Sequence, residues 1–189
     1  MRLESIFVCP ICKSELFFET NQHYICEACD SNYPTLNGVP IFLTGRRDTD
    51  VMNKFWDEGW KNRFKNTDHA FWEEESNEIF KDRIEKNVDK MLERGRHAIT
   101  ETIPINEKIV LNIGCGTGEA PAFMALGAKN YIGIDYSYNA AKYSIEAIKK
   151  MDGSGITAQA NAELLPIGDD SIDIAYSHGV LHHLSLIHI

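Results

Sequence analysis

The sequence predicts an α/β protein: a partial, doubly wound parallel sheet, preceded by a small four-cysteine ribbon and a helical segment. Three observations carry that reading. Two Cys-x2-Cys pairs fall within the first 29 residues. Residues from about 50 to 100 place apolar and aromatic side chains at helical spacing. From Lys108 onward, short apolar runs alternate with helical patterns and glycine-rich turns, which is the pattern of a parallel sheet with helices on its faces. The expected boundaries are 1–44 for the ribbon, 45–104 for a helical linker or cap, and 105–189 for the partial sheet domain.

The ribbon rests on Cys9, Cys12, Cys26 and Cys29, whose two pairs are separated by thirteen residues. A Cys-x2-Cys pair forms a tight knuckle that turns two thiolates to one centre, and two knuckles make a tetrahedral sulfur site suited to Zn2+. Such a site is closed, so its role is structural. About 40 residues bury too little core to be stable alone, so metal binding supplies folding energy. Two disulfides or four unrelated thiols are the alternatives to a metal site. His23 lies between the pairs and is expected to be a strand or surface residue.

Thr44 to Asp48 has the composition of a linker. Beyond it, Phe55, Trp56, Gly59, Trp60 and Phe64 form one helical cluster, and Ile79, Arg83, Ile84, Val88, Met91 and Leu92 form a second stripe. Both are expected to pack against the following domain.

In that domain, Ile109–Ile113 is the first strand and runs into a glycine loop. A helix follows over Ala120–Leu126 and ends at Gly127. Tyr131–Asp135 is the second strand, Asn139–Met151 a helix, Ile156–Ala160 the third strand and Ile172–Ser177 the fourth. The loop Gly114-Cys115-Gly116-Thr117-Gly118 lets the backbone turn sharply and approach a ligand. Seventeen residues past Gly118, Asp135 ends the second strand, where a carboxylate can accept both ribose hydroxyls of an adenosine ligand. The spacing is Gly-x-Gly-x-Gly rather than the Gly-x-Gly-x-x-Gly of dinucleotide sites. Glu119 at the helix start would also repel a pyrophosphate. A sulfonium nucleoside with an amino acid tail tolerates it, which favours S-adenosylmethionine over a nicotinamide dinucleotide.

These residues resemble those of class I S-adenosylmethionine-dependent methyltransferases of the type 11-like branch, over about residues 105 to 183. Val110 to Gly118 resembles the family's first motif, and Gly133-Ile134-Asp135-Tyr136-Ser137 its second. The resemblance implies a Rossmann-like sheet, with Asn112, Gly114, Cys115, Gly116 and Gly118 around the cofactor. Asp135 would hold its ribose and Tyr136 would pack on adenine. Asn161, Ala162 and Glu163 resemble the loop that reads the adenine edge, and Ser177 lies at the end of the fourth strand. Residues 3 to 43 resemble the zinc-ribbon activators of tRNA and translation-factor methyltransferases, and the same ribbon fused ahead of bacterial methyltransferase domains. Two positions depart from the family. Asn112 stands where Asp or Glu is usual, and Asn161 where Asp is usual. Losing the charge at 112 predicts weaker hold on the cofactor's cationic amine. Cys115 is expected to be a small buried loop residue, not a nucleophile.

Ligands sit at the carboxyl ends of parallel strands, which nominates Ser177, His178, His182 and His183 as neighbours of the transferred methyl. A histidine there could deprotonate a hydroxyl or carbon acid. His182 and His183 are otherwise the start of a helix.

The net charge of −9, with no dense cluster of Lys or Arg, places nucleic acid below a small molecule as acceptor. RNA methylation is the alternative, and a non-catalytic adaptor that docks on a partner protein is the reading from another class. No apolar run approaches the roughly 18 residues of a membrane span, and the first residues do not read as a secretory signal, so a cytoplasmic protein is expected. The resemblance implies seven strands ordered 3-2-1-4-5-7-6, of which four are present, so the fourth is expected to be an apolar edge. Leu184 to Ile189 matches the translation of a transposon-end adapter used in sequencing libraries. Natural sequence is therefore expected to end near His183.

Overall fold

The computed structural model describes residues 3–19, 23–44, 54–59, 62, 77–91, 104–116 and 119–184. Two four-stranded sheets organise them. The first is the antiparallel ribbon β1 (Phe17–Glu19), β2 (His23–Cys26), β3 (Ser31–Leu36) and β4 (Val39–Pro40), in that order. Asn37 and Gly38 join β3 to β4 with φ of 51° and 80°. Positive φ at both turn positions is the geometry a two-residue hairpin needs, and Asn-Gly adopts it most readily.

The second sheet is parallel. It contains β5 (Ile109–Ile113), β6 (Asn130–Asp135), β7 (Gly155–Gln159) and β8 (Ile174–Ser177), ordered β7-β6-β5-β8. That is the 3-2-1-4 order expected for the first four strands, and among the described residues β8 is the end strand next to β5.

Among the described residues, α1 (Asn77–Met91), α2 (Glu119–Ala125) and α3 (Tyr138–Lys150) accompany the sheet. Gly127, at φ 88°, closes the turn after α2. There a Cβ would stand 2.8 Å from the Asn106 side chain. The Ser137 hydroxyl caps α3 by accepting from the Ala140 N–H, and Lys149 and Lys150 lie at the helix's negative end. In α1 the inward stripe differs from the expected one by one position. Phe80 is buried and Ile84 and Val88 are half-buried, whereas Ile79 is 55% exposed. Phe80, Ile84 and Val88 repeat every four residues, so they share a helix face that Ile79 leaves. No helix among the described residues is long and apolar enough to cross a membrane.

Alternation along the strands sends successive side chains to opposite faces. Val110, Tyr131, Ile174 and Tyr176 pack with Ala122 and Phe123 of α2 and Ala141, Ile145 and Ile148 of α3. Leu111, Ile132, Ile134 and Ala158 point the other way, into a core completed by Ile6, Phe7, Tyr24, Tyr33 and Phe42 of the ribbon. The ribbon thus covers one face of the sheet as the helices cover the other. Backbone bonds fasten it there. The Phe42 N–H donates to the Gln159 carbonyl at 2.8 Å, the Val8 N–H to Pro166 at 3.0 Å, and the Gly168 N–H to Ile6 at 2.9 Å.

Candidate functional site: a sulfur cage and a nucleoside crevice

The four cysteine sulfurs all lie within 4.8 Å of one another. The Cys9–Cys29 and Cys12–Cys26 separations are 3.5 and 3.4 Å. A tetrahedral site with Zn–S bonds of about 2.3 Å places its sulfurs about 3.8 Å apart, so the donor set fits Zn2+ in number, chemistry and spacing. All four are free thiols, so the disulfide alternative is not realised. Hydrogen bonds from Ser14 bring the Cys12 thiol down to about 6, near the thiolate form a metal takes, while burial pushes Cys26 up to about 12. His23 lies on β2 with its Nδ1 2.9 Å from the Asn32 side chain, apart from the cage. The cage is positioned to bind a metal ion such as zinc.

The second site lies at the carboxyl ends of β5 to β8. Gly114 and Gly116 turn the chain with φ of 75° and 51°. A Cβ at Gly114 would overlap Val180, so only glycine fits there. The N–H groups of Gly114 and Cys115 both donate to the Ile134 carbonyl, at 2.7 and 3.0 Å. The Gly116 N–H donates to Asp135 Oδ2 at 2.9 Å. These three donors are spent inside the fold and none cradles a phosphate. The glycine turn and the strand-end carboxylate are instead joined directly. Asp135 Oδ1 also accepts from the Ser137 N–H at 2.8 Å. With backbone N–H groups of Gly116, Tyr136 and Ser137 donating to it, the carboxylate keeps acceptor capacity for a ribose hydroxyl. Burial raises its pKa to about 6, against the lowering effect of the N–H bonds from Ser137, Gly116 and Tyr136.

The remaining predicted residues distribute around this pair. Tyr136 follows Asp135, and its carbonyl accepts from Gln159 Nε2. Asn161 Oδ1 caps the short 3-10 turn Ala162–Leu164 by accepting from the Glu163 N–H at 2.9 Å. The Asn161 acceptor is therefore committed to shaping the loop. Cys115 is buried, with its Sγ 3.0 Å from where a Cβ on Gly133 would stand. Burial and the Asp135 charge push its thiol well above its usual range, so it is a packed neutral thiol. Ser177 Oγ donates to the Ile113 carbonyl at 3.1 Å. His178 Nδ1 lies 3.6 Å from Glu119 Oε1. His182 and His183 lie on the 3-10 turn Leu181–His183 with their rings 3.9 Å apart, and His183 meets Trp56 at 5.3 Å. Gly118, with Thr117, falls outside the described residues, as do Trp60, Phe64 and Leu92.

Two site features had no sequence signal strong enough to find. Glu119 gathers the Asn112 amide at 3.0 Å, the Tyr176 hydroxyl at 3.3 Å and His178. Its charge at the helix start was visible in the sequence, but its inward turn depends on β8, some 57 residues away. Asp57 Oδ1 accepts from Ser137 Oγ at 2.8 Å and from the Asn139 N–H at 3.1 Å, an added cap on α3 from 80 residues upstream.

Comparison with known proteins agrees with this geometry. Residues 111–188 match the family model described as a methyltransferase domain. A tRNA U34 carboxymethyltransferase of a Shewanella strain is 36% identical over 87 residues, which cover 42% of this chain and 25% of that protein. A UPF0434 protein of Methylobacillus flagellatus is 44% identical over 43 residues, 22% of this chain and 72% of its own. Among solved structures, magnesium protoporphyrin IX methyltransferase of Synechocystis, with bound S-adenosylmethionine, superposes with a TM-score of 0.50 at 13% identity. It covers 77% of this chain and 68% of that one, and shows the shared fold. The chain spans less than half the length of the first curated relatives it matches, 41% of one and 25% of the next. With the fold, the glycine turn and the four-cysteine unit in view, the chain carries a methyltransferase domain over residues 111–188, behind a ribbon similar to UPF0434 proteins.

Proposed function

We propose that the whole protein transfers a methyl group from S-adenosylmethionine to a small-molecule acceptor. The observation that carries this is the 2.9 Å bond from the Gly116 N–H to Asp135 Oδ2, which makes the glycine turn and the ribose carboxylate one cradle. A crevice whose described loop N–H groups, those of Gly114, Cys115 and Gly116, are engaged internally suits a nucleoside without phosphates. Bound S-adenosylmethionine supplies an electrophilic methyl whose bond to sulfur breaks with its electron pair as the acceptor attacks in line. The chain holds the two reactants in that line. Asp135 anchors the ribose, Gly114 admits the ligand close to the backbone, and Asn161, Ala162 and Glu163 edge the adenine. His178, 47% exposed and beside Glu119, is the residue we assign as general base for an acceptor that must lose a proton. Ser177 ends β8, just before His178, and His182 lies on the 3-10 turn that follows. Zn2+ in the sulfur cage is assigned a structural role, because four thiolates close its coordination shell.

The similarity to a tRNA-modifying enzyme favours a second reading in which RNA is the acceptor. The net charge of −9 weighs against it, since tracking a phosphate backbone takes clustered basic residues. Incubating the full chain with methyl-labelled S-adenosylmethionine and either a metabolite extract or total tRNA separates the two. Label in the metabolite fraction supports the proposal, and label in acid-precipitable RNA overturns it. Calorimetry with S-adenosylhomocysteine tests the shared premise. A chain with no affinity for it is an adaptor and not an enzyme.

A further inference from the structure

We infer that Glu119 supplies the negative charge that meets the cofactor's ammonium group, in place of the carboxylate usual at position 112. The inference rests on the proposed S-adenosylmethionine site and names a residue within it. Asn112 is fully buried on the helix-facing side of β5. Its Nδ2 donates to Glu119 Oε2 at 3.0 Å and to the Tyr131 hydroxyl at 2.9 Å. Its Oδ1 is buried and has no hydrogen-bond partner. Glu119 is turned inward from the first turn of α2, with its side chain only 23% exposed and Oε1 accepting from Tyr176. An orphaned amide oxygen beside an inward-facing carboxylate offers acceptors and one full charge to a group that brings three donors and a positive charge. A primary ammonium is such a group.

The same contact explains the departure at 112. An aspartate there would set a second carboxylate about 3 Å from Glu119, and two like charges at that distance cannot both ionise. A neutral amide that donates to Glu119 lets the carboxylate approach. Asn112 and Glu119 are thus a relocated charge and its partner. The loss of charge at 112 therefore no longer predicts weak binding.

Calorimetry on the full chain tests this with two ligands: S-adenosylhomocysteine, which carries the ammonium, and 5′-methylthioadenosine, which lacks the amino acid tail. Glu119→Gln is expected to weaken S-adenosylhomocysteine binding about 10- to 100-fold, the range for losing a charge-assisted hydrogen bond. Methylthioadenosine affinity should stay within about 2-fold, which also shows that the variant folds. Adding Asn112→Asp to Glu119→Gln returns the charge to β5 and should recover most of the loss. An unchanged S-adenosylhomocysteine affinity, or equal losses for both ligands, would overturn the assignment. A wild-type chain that binds neither ligand would instead overturn the S-adenosylmethionine site itself, and the assignment with it.

Discussion

The two faces of the parallel sheet solve one problem by different means. Both bury strand side chains completely: Val110 and Tyr131 toward the helices, Ile132 and Ile134 toward the ribbon. The helix face is covered chiefly by α2 and α3, which follow β5 and β6 in sequence and carry their own periodicity, with Val39 and Ile105 in the same cluster. The ribbon face is covered by about forty residues from the other end of the described chain, whose own strands are too short to hold a core. Within the ribbon three ring contacts centre on Phe42, with Phe7 at 5.0 Å, Tyr24 at 5.5 Å and Tyr33 at 5.3 Å, and the Phe42 N–H joins it to the Gln159 carbonyl. The contrast teaches that the metal cage is more than a staple for a small appendage. It fixes the lid of a hydrophobic core that the sheet shares, so the packing runs straight across the boundary proposed near residue 44.

Removing the metal should break this arrangement most severely. Binding of a structural zinc contributes on the order of 10 kcal/mol in small modules. If the ribbon is half of a common core, chelation or Cys26→Ser should lower the unfolding temperature by at least about 10 °C, at roughly 2–4 °C per kcal/mol for a chain of this size. Scanning calorimetry would show one cooperative transition before and after. Two separate transitions, with the later one unmoved by chelator, would mean that the sheet does not depend on the ribbon.

Single truncations sharpen the comparison at a smaller scale. Phe42 and Phe123 are 1% and 0% exposed and fill corresponding places on the two faces. Phe42→Ala and Phe123→Ala should each cost about 3–5 kcal/mol in urea unfolding, because each leaves a cavity the surroundings refill only in part. A cost below about 1 kcal/mol for Phe42 alone would mark the ribbon face as loosely docked.

How much of this was legible in the sequence follows the same division. The strands and helices from Ile109 onward were readable because a buried run, a glycine turn and an amphipathic helix are local patterns. The four-cysteine cage was readable because two knuckles with fixed spacing state their chemistry directly. The docking of Ile6, Phe7 and Phe42 on Leu111 and Ile134 was not. Contiguous Val, Leu and Ile in a parallel strand say that both faces are covered, and nothing in them says by what. The inward stripe of α1 was misread at Ile79, because a helix read with Ile79 in its stripe passes over Phe80. Glu119 was seen as a charge at a helix start, yet its role depends on Asn112 and Tyr176, which only the folded sheet brings together.

The smallest expected effect lies at the strand tips, beyond both cores, and it is one of pH. Asp135 has its pKa raised to about 6, chiefly by burial, with the charge of Asp57 adding to the rise. In the proposed site the ionised form is the one that accepts from the ribose, and protonation removes that capacity on one oxygen. Affinity for S-adenosylhomocysteine should therefore hold between about pH 7 and 8 and fall as pH drops through 6. It should be about tenfold weaker at pH 5 than at pH 8, the ratio of ionised fractions for a pKa near 6. Because ligand hydroxyls favour the anion, binding near pH 6 should also release protons, which calorimetry in buffers of different ionisation enthalpy would detect. Asp135→Asn should bind weakly and lose the pH dependence. A wild-type affinity that stays flat from pH 8 to pH 5 would mean that the carboxylate is ionised throughout, and that its backbone donors outweigh its burial.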